Sequence, residues 1–339
     1  MSYKRRLELL RGIGELRQTA VITFFTGDRE NVSTRIAPDA VPVFYRHLRQ
    51  ASPARGIDLF LYTRGGDVLT PWRLVHLFRE FAPRFSVLVP FRAYSAGTLL
   101  CLGADEILMT PLAELGPIDP SVVNAFNPQD PVNPAARIPV NVEDVYAYLA
   151  LVREEALVRS EPFLTQAFLR LAETIHPLAL GNVHRNYNLV RSLAKRLLAM
   201  PRNRYGPEQV QHIVDSLTQK LYAHNHMISR QEAGAEIGLN VVKPDGEMES
   251  LIWELYEEYR ARLRLDEPFD PAALLAGASC AEFEVAGGFI ESAAGQDAYV
   301  FRGTVERREF PDRPQINVNI VQQGWRMTRG GTGHERRRD

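Results

Sequence analysis

The chain has 339 residues, a formal net charge of −1 and 45% hydrophobic residues, a composition typical of a globular protein with one or two domains. A charge so close to zero gives no global reason to bind nucleic acid, and the absence of a run of about 18 apolar residues predicts no membrane-spanning helix. Cys101 and Cys280 cannot form a disulfide framework, and the first residues lack the apolar core of a secretory signal. These features favour a reducing cytoplasm.

Strands and helices are predicted to alternate through the first 110 residues. A helix is expected over 3–17, and runs of β-branched and aromatic residues predict apolar strands over 19–25, 57–63, 85–90 and 106–109. Helical spacing occupies the intervals between the strands. Alternating strands and helices indicate a parallel sheet, and strands without polar alternation indicate that helices cover both of its faces.

The second half of the chain changes character twice. A proline-rich insertion over 124–140 precedes a mostly helical segment over 142–222. Beyond residue 265, alternating polar and apolar residues predict a small β-rich extension over 266–327, followed by a disordered tail over 328–339. The expected organisation is therefore an α/β domain over 1–265 with a C-terminal β-rich extension.

Ser95 stands immediately before a run that is apolar on every side. A serine in this position is most often a helix N-cap. However, Gly65 and Gly66 follow one predicted strand and Ser95 follows the next, and adjacent parallel strands end at the same edge of a sheet, where ligands bind. Paired glycines allow close approach of backbone N–H groups, and the amides of Gly66 and Ala96 could together hold an oxyanion. The pattern thus allows a second interpretation, in which Ser95 is a nucleophile.

Five motifs in order resemble the Clp-protease-like serine peptidases, and among them the serine dehydrogenase proteinase (SDH) family, related to signal peptide peptidase A. They are TRGGD (63–67), AYSAGT (93–98), GADEILM (103–109), LGPIDP (115–120) and YAHNHMISRQEAGAEIGLNV (222–241). The resemblance covers roughly residues 15–265 and implies the ClpP/crotonase fold, a spiral of βαβ units. It also implies a polypeptide substrate, a homo-oligomer, Ser95 as nucleophile, and Gly65, Gly66 and Ala96 as the oxyanion-hole region.

A serine nucleophile needs a proton acceptor, and the resemblance points to two histidines. His184 falls where related proteins carry a lysine, while His224 matches the family's histidine, followed by Asn225 where an acid is expected. An asparagine can orient an imidazole but supplies no charge to stabilise an imidazolium. A lysine base stays open, although Lys195 and Lys220 lie in predicted amphipathic helices and are expected to be solvated.

Two other functions compete with the peptidase. A crotonase-like acyl-CoA enzyme shares the fold and a similar GADEI pattern, and would hold a thioester oxygen with the amides of Gly66 and Gly97. An oligomeric scaffold that has lost its base would need no chemistry at all. No phosphate-binding loop or Cys/His zinc spacing is present, so neither a metal nor another cofactor is expected.

Overall fold

One eight-stranded sheet organises the protein. The computed structural model describes residues 3–51, 55–118, 121–122, 124–201, 205–218, 226–308 and 315–328. Within these ranges the strands are β1 (Ala20–Thr26), β2 (Ile57–Tyr62), β3 (Phe85–Val89), β4 (Arg92–Ala93), β5 (Glu106–Met109), β6 (Glu114–Leu115), β7 (Ser121–Val122), β8 (Val140–Asn141), β9 (Ile228–Ser229), β10 (Val241–Val242), β11 (Cys280–Ser292), β12 (Gly295–Arg308) and β13 (Gln315–Met327). The large sheet has the order β10-β5-β3-β2-β1-β11-β12-β13.

Helices cover both faces of the parallel part of the sheet. They are α1 (Tyr3–Arg17), α2 (Ala40–Ala51), α3 (Thr70–Phe81), α4 (Ala96–Leu102), α5 (Val142–Ala150), α6 (Glu161–Thr174), α7 (Pro177–Leu198), α8 (Pro207–Thr218), α9 (Gly246–Leu263) and α10 (Pro271–Leu275), with π-helical turns at Leu151–Glu155 and Glu232–Glu236. One apolar core lies under α2, α3, α4, α7 and α8, and a second lies under α1 and α9. Strands β10, β5, β3, β2 and β1 pair in parallel, and every residue of β2 and β3 is buried. The predicted α/β fold with a covered parallel sheet is therefore confirmed.

The predicted C-terminal strand-rich region is also confirmed, and it continues the main sheet. Strand β11 pairs antiparallel with β1, placing Phe25 opposite Phe289, and β12 and β13 follow antiparallel in turn. The domain boundaries at 265 and 327 stay predictions. Residues 329–339 of the predicted tail lie outside the described ranges.

A buried ion pair locks the first helix to this extension. The Arg6 guanidinium donates two hydrogen bonds to the Glu291 carboxylate at 2.8 and 2.9 Å, and both side chains are almost fully buried. Tyr259 of α9 and Gln296 of β12 donate to the same carboxylate. Burial alone would lower the pKa of Arg6, but its hydrogen bonds to Glu291 and the charge of that carboxylate raise the pKa overall.

A serine, a histidine and an aspartate also meet at the join between α2 and the extension. His47 Nδ1 lies 2.7 Å from Ser292 Oγ, and His47 Nε2 lies 2.9 Å from Asp297 Oδ2, a carboxylate that also accepts from Arg46. Although burial raises the pKa of Asp297, the bonds from His47 and Arg46 lower it overall. At most 2% of Ser292, His47 or Asp297 is exposed, so this group fastens α2 to the hairpin and offers no access to an acyl substrate.

The insertion and the helical segment add no strand to the main sheet, although α7 and α8 pack over its core. Residues 124–140 run through turns to β8, and α5 to α8 occupy most of the segment predicted to be helical. Helix α6 has no buried residue. Among the described residues, no helix combines the length and the apolar character that crossing a bilayer requires.

Candidate active site

Backbone pairing brings the Gly-Gly motif and Ser95 together. Beyond the ends of β2 and β3, Thr63 pairs in parallel with Ala93: the Thr63 N–H donates to Arg92 O, and the Tyr94 N–H donates to Thr63 O. Gly65 therefore adjoins Ser95, and a β-carbon built on Gly65 would lie 3.0 Å from Ser95 Cβ and 3.5 Å from its Oγ. The sequence prediction that both motifs share one edge of the sheet agrees with this arrangement.

Gly66 must be a glycine for two physical reasons. Its φ of +151° lies in the region that favours glycine. Its α-carbon also lies directly against the backbone of Ile36, so that a β-carbon would approach Ile36 O to 2.1 Å. Ile36 N donates to Gly65 O and Ile36 O accepts from Asp67 N, which turns the Gly66 N–H away from Ile36.

Two backbone amides near Ser95 lack an acceptor. Within the described residues, neither the Gly66 N–H nor the Ala96 N–H donates to a backbone or side-chain oxygen. By contrast, the Gly65 N–H donates to Thr63 Oγ1 at 3.0 Å, and the Gly97 N–H donates to Tyr94 O at 2.8 Å. The amides of Gly66 and Ala96 are therefore the ones free to bind an oxygen anion.

The backbone of Ser95 has an unusual conformation. Its φ is +51° and its ψ is −109°, although serine is not a residue that favours positive φ. The side chain does not cap α4, and Oγ makes no hydrogen bond to any described residue. A non-glycine residue in this conformation costs on the order of 1–3 kcal/mol, and such strain concentrates at functional sites. A nucleophilic serine at a sharp strand-to-helix turn has this arrangement.

The helix behind Ser95 is held rigidly. All seven residues of α4 are buried. Thr98 Oγ1 donates toward Ala93 O and Gly116 O, both at 2.8 Å, and so joins the turn before Ser95 to the chain that leaves β6. An anion bound at this N-terminus would meet the positive end of the helix dipole, which is strongest in the first turn.

A charged network borders the site on the side of β6. Tyr94 OH donates to the Glu114 carboxylate, and burial together with this hydrogen bond raises the pKa of Tyr94 to about 12. Arg92 pairs with Asp28 at 3.2 Å, and the same carboxylate accepts from Tyr62 OH at 2.9 Å. Burial and the charge of Asp28 also raise the pKa of Tyr62. Both phenols are protonated at neutral pH, so neither can take a proton from Ser95.

The two histidines predicted as the base lie in different parts of the chain. His184 is exposed on α7, where Nδ1 lies 2.7 Å from Tyr146 OH and Nε2 lies 2.9 Å from Asn188 Nδ2. His224 and Lys220 lie outside the described residues, and Lys195 is exposed on α7. Among the described residues, no histidine or lysine nitrogen makes a hydrogen bond to Ser95 Oγ.

One histidine–carboxylate pair at the start of β9 is not among the residues predicted to be catalytic. His226 Nε2 lies 2.8 Å from Glu232 Oε1, just beyond the segment that contains His224. The sequence carries a weak signal for it, because an H-x₅-E spacing spans the start of a short strand and the following helical turn. Nothing in that spacing alone distinguishes it from a surface ion pair.

The part of the chain that contains this site matches a known protein family. Residues 1–166 match the family of ClpP-like SDH-type serine proteinases. The match confirms the resemblance inferred from the motifs, and it includes Gly65, Gly66, Ser95 and Ala96. The SDH-type region covers almost half of the chain.

Other comparisons extend beyond the SDH-type region. Two uncharacterized proteins of Methanocaldococcus jannaschii are 25% and 23% identical over 270 and 269 residues, which is 76% and 75% of this chain and 80% and 76% of theirs. Two solved structures of mutants of the 1510-N membrane-bound stomatin-specific protease, one in complex with a substrate peptide, have TM-scores of 0.38 and 0.37 at 16% and 15% identity. Each alignment covers 63% of this chain, and 77% and 73% of the structures respectively.

Proposed function

We propose that this protein is a serine peptidase in which Ser95 is the nucleophile. The observation that carries the proposal is the strained Ser95 beside the amides of Gly66 and Ala96. Neither its Oγ nor these two amides make a hydrogen bond to a described residue. The SDH-type match supplies the class of substrate, a polypeptide. The cytoplasm remains the predicted setting.

The reaction would proceed by acyl transfer. Ser95 Oγ attacks the carbonyl carbon of a peptide bond while a base takes its proton, and the amides of Gly66 and Ala96 donate to the resulting oxyanion. Collapse of this intermediate releases the amine, and water then hydrolyses the acyl-enzyme. The sequence predicts a histidine or a lysine as this base, and the family resemblance points to His184 and His224.

The acyl-CoA alternative has less support. It requires the amide of Gly97 as an oxyanion donor, and that amide already donates to Tyr94 O.

The scaffold alternative predicts an inert Ser95. A fluorophosphonate phosphonylates a nucleophilic serine, so we expect it to label the protein at Ser95, as mapped by peptide mass spectrometry. Failure to label the folded protein would favour the scaffold, and binding of coenzyme A in calorimetry would favour the acyl-CoA enzyme.

Replacing Gly66 with alanine is expected to lower the rate of Ser95 labelling by roughly 10²–10³-fold, the effect of losing one oxyanion donor. The new β-carbon would overlap Ile36 O, so the loop must shift and the amide must move with it. Gly181→Ala is a matched control, because a β-carbon there meets nothing within 4 Å. Unchanged labelling of Gly66→Ala would show that this amide does not bind the oxyanion.

We also propose that the protein forms a homo-oligomer through β13. Among the described strands this one is the last in the sheet, so one of its backbone edges pairs with no described strand, and residues 315–325 carry no charge. Charges, prolines and bulges protect such edges. The pairing of β13 with β12 shifts register at Val321, but residues 315–320 pair regularly and contain neither a charge nor a proline. A second copy of the same strand supplies a matching uncharged edge, and twofold symmetry permits antiparallel pairing.

The double substitution Ile316→Lys with Ile320→Lys is expected to convert the oligomer to a monomer in light scattering. These side chains are 43% and 47% exposed, and in the paired strands lysines from both copies would repel one another. Leu169→Lys, at a similarly exposed leucine on α6, is the control and should leave the mass unchanged. A monodisperse wild-type monomer would contradict the proposal.

A further inference from the structure

The pair formed by His226 and Glu232 has the form of a base with an orienting carboxylate. The side chain of His226 is 37% exposed and that of Glu232 is 21% exposed, with 2.8 Å between Nε2 and Oε1. Glu232 opens a π-helical turn, and its N–H donates to Ser229 Oγ. Within the described ranges, the other histidine–carboxylate pair, His47 with Asp297, is buried away from solvent.

Strand register directs the segments of Ser95 and His226 toward the same end of a small sheet. In the small sheet β4-β6-β9, Ala93 pairs with Leu115 and Leu115 pairs with Ile228, and all three are fully buried. Strand β4 runs parallel to β6, and β9 runs antiparallel to it. Ser95 and His226 lie two residues beyond the ends of these strands. Extending the register forward from Ala93 and back from Ile228 brings both residues to the same end of the sheet.

The separation is suitable for proton transfer. Neighbouring strands lie about 4.8 Å apart, so two strand spacings put the backbones at the level of Ser95 and His226 roughly 10 Å from each other. Serine and histidine side chains that turn toward each other leave a gap that one water can bridge, and loose contacts are common in sites without substrate.

The ring of His226 has the right nitrogen free. With Nε2–H donating to the Glu232 carboxylate, the lone pair of the neutral imidazole is on Nδ1, which makes no hydrogen bond to a described residue. His184 differs, because its two ring nitrogens are engaged by Tyr146 and Asn188.

We infer that His226, oriented by Glu232, is the proton acceptor for Ser95. The inference rests on the proposed peptidase function. As the Ser95 Oγ–carbon bond forms, the hydroxyl proton passes to His226 Nδ1 and the carbonyl electron pair moves to the oxygen. The imidazolium then returns that proton to the leaving amine as the carbon–nitrogen bond breaks, and Glu232 keeps its own charge throughout.

The test compares the rates of fluorophosphonate labelling of Ser95 in full-length variants. His226→Ala should lower the rate by roughly 10²–10⁴-fold, and added imidazole should restore part of it, which a structural role would not allow. Glu232→Ala should give a smaller loss and Glu232→Asp, which keeps a carboxylate, should recover part of it. His76→Ala, at an exposed histidine on α3, is the control and should label at the wild-type rate. His184→Ala and His224→Ala test the two rival bases, and melting temperatures show that each variant is folded.

The outcomes separate the inference from the proposed function. If Ser95 of the folded wild type is not labelled, the peptidase proposal fails. If the wild type is labelled and the loss appears in His224→Ala or His184→Ala while His226→Ala is unaffected, the peptidase proposal stands and the assignment of His226 is wrong. A loss in His226→Ala without rescue by imidazole, accompanied by a lowered melting temperature, also overturns the assignment.

Discussion

Replacing Ser95 with alanine is expected to abolish covalent labelling by a fluorophosphonate while the protein remains folded. The reagent needs an oxygen nucleophile, and the amides of Gly66 and Ala96 have no function in phosphonylation without one. Ser95 Oγ makes no hydrogen bond to the described residues, so its removal leaves no buried partner unsatisfied. Labelling measured by intact mass, with circular dichroism to check folding, tests this expectation.

Ser160→Ala is the matched control for Ser95→Ala. Ser160 also precedes a helix, is exposed and makes no side-chain capping bond, so its removal should leave labelling unchanged. Persistent labelling of Ser95→Ala at the wild-type stoichiometry would place the nucleophile elsewhere in the chain.

Ser95→Gly should not be labelled, and its free energy of unfolding should exceed that of Ser95→Ala. The φ of +51° and ψ of −109° at Ser95 are accessible to glycine without a Cβ clash. The relief of roughly 1–3 kcal/mol of strain is partly offset by the greater flexibility of glycine in the unfolded chain, which leaves a gain of about 1 kcal/mol. Urea denaturation of Ser95→Gly and Ser95→Ala would measure it, and equal stabilities would argue against strain at this residue.

Replacing Glu291 with glutamine is expected to lower the free energy of unfolding by about 3–5 kcal/mol, the usual cost of removing one partner of a buried ion pair. The Arg6 guanidinium, 1% exposed, would keep its charge without a counter-ion. Tyr259 and Gln296 would also lose a charged acceptor. Because this carboxylate joins α1, α9 and β12, we expect the extension and the first helix to loosen together.

Two further variants, compared with Glu291→Gln by urea denaturation, test whether the buried charge causes the loss of stability. The double variant Arg6→Met with Glu291→Leu should lose less stability than Glu291→Gln alone, because no unpaired charge stays buried. Glu254→Gln removes an exposed pair with Arg5, about half of each side chain being in solvent, and should cost less than about 1 kcal/mol. If Glu291→Gln costs no more than Glu254→Gln, the buried pair does not stabilise the fold.

The sequence by itself determined the parallel sheet and the position of the nucleophile candidate. The four apolar runs predicted as strands coincide within one residue at each end with β1, β2, β3 and β5. These four strands are recognisable locally because nearly all of their residues are buried by the helices on both faces. The two glycines were informative because the backbone geometry at Gly65 and Gly66 tolerates no side chain.

Only the tertiary structure decided which distant segments meet. No local pattern places β11 beside β1, because the pairing of Phe25 with Phe289 depends on the whole sheet being assembled. The sequence does not distinguish His226 from the other histidines, and the inference that it acts on Ser95 depends on its pairing with Glu232 and on the register of β4, β6 and β9. Hydrogen bonds and ion pairs between residues far apart in the chain depend on side-chain positions that are fixed by packing. A single sequence gives the identity of each side chain but not its position.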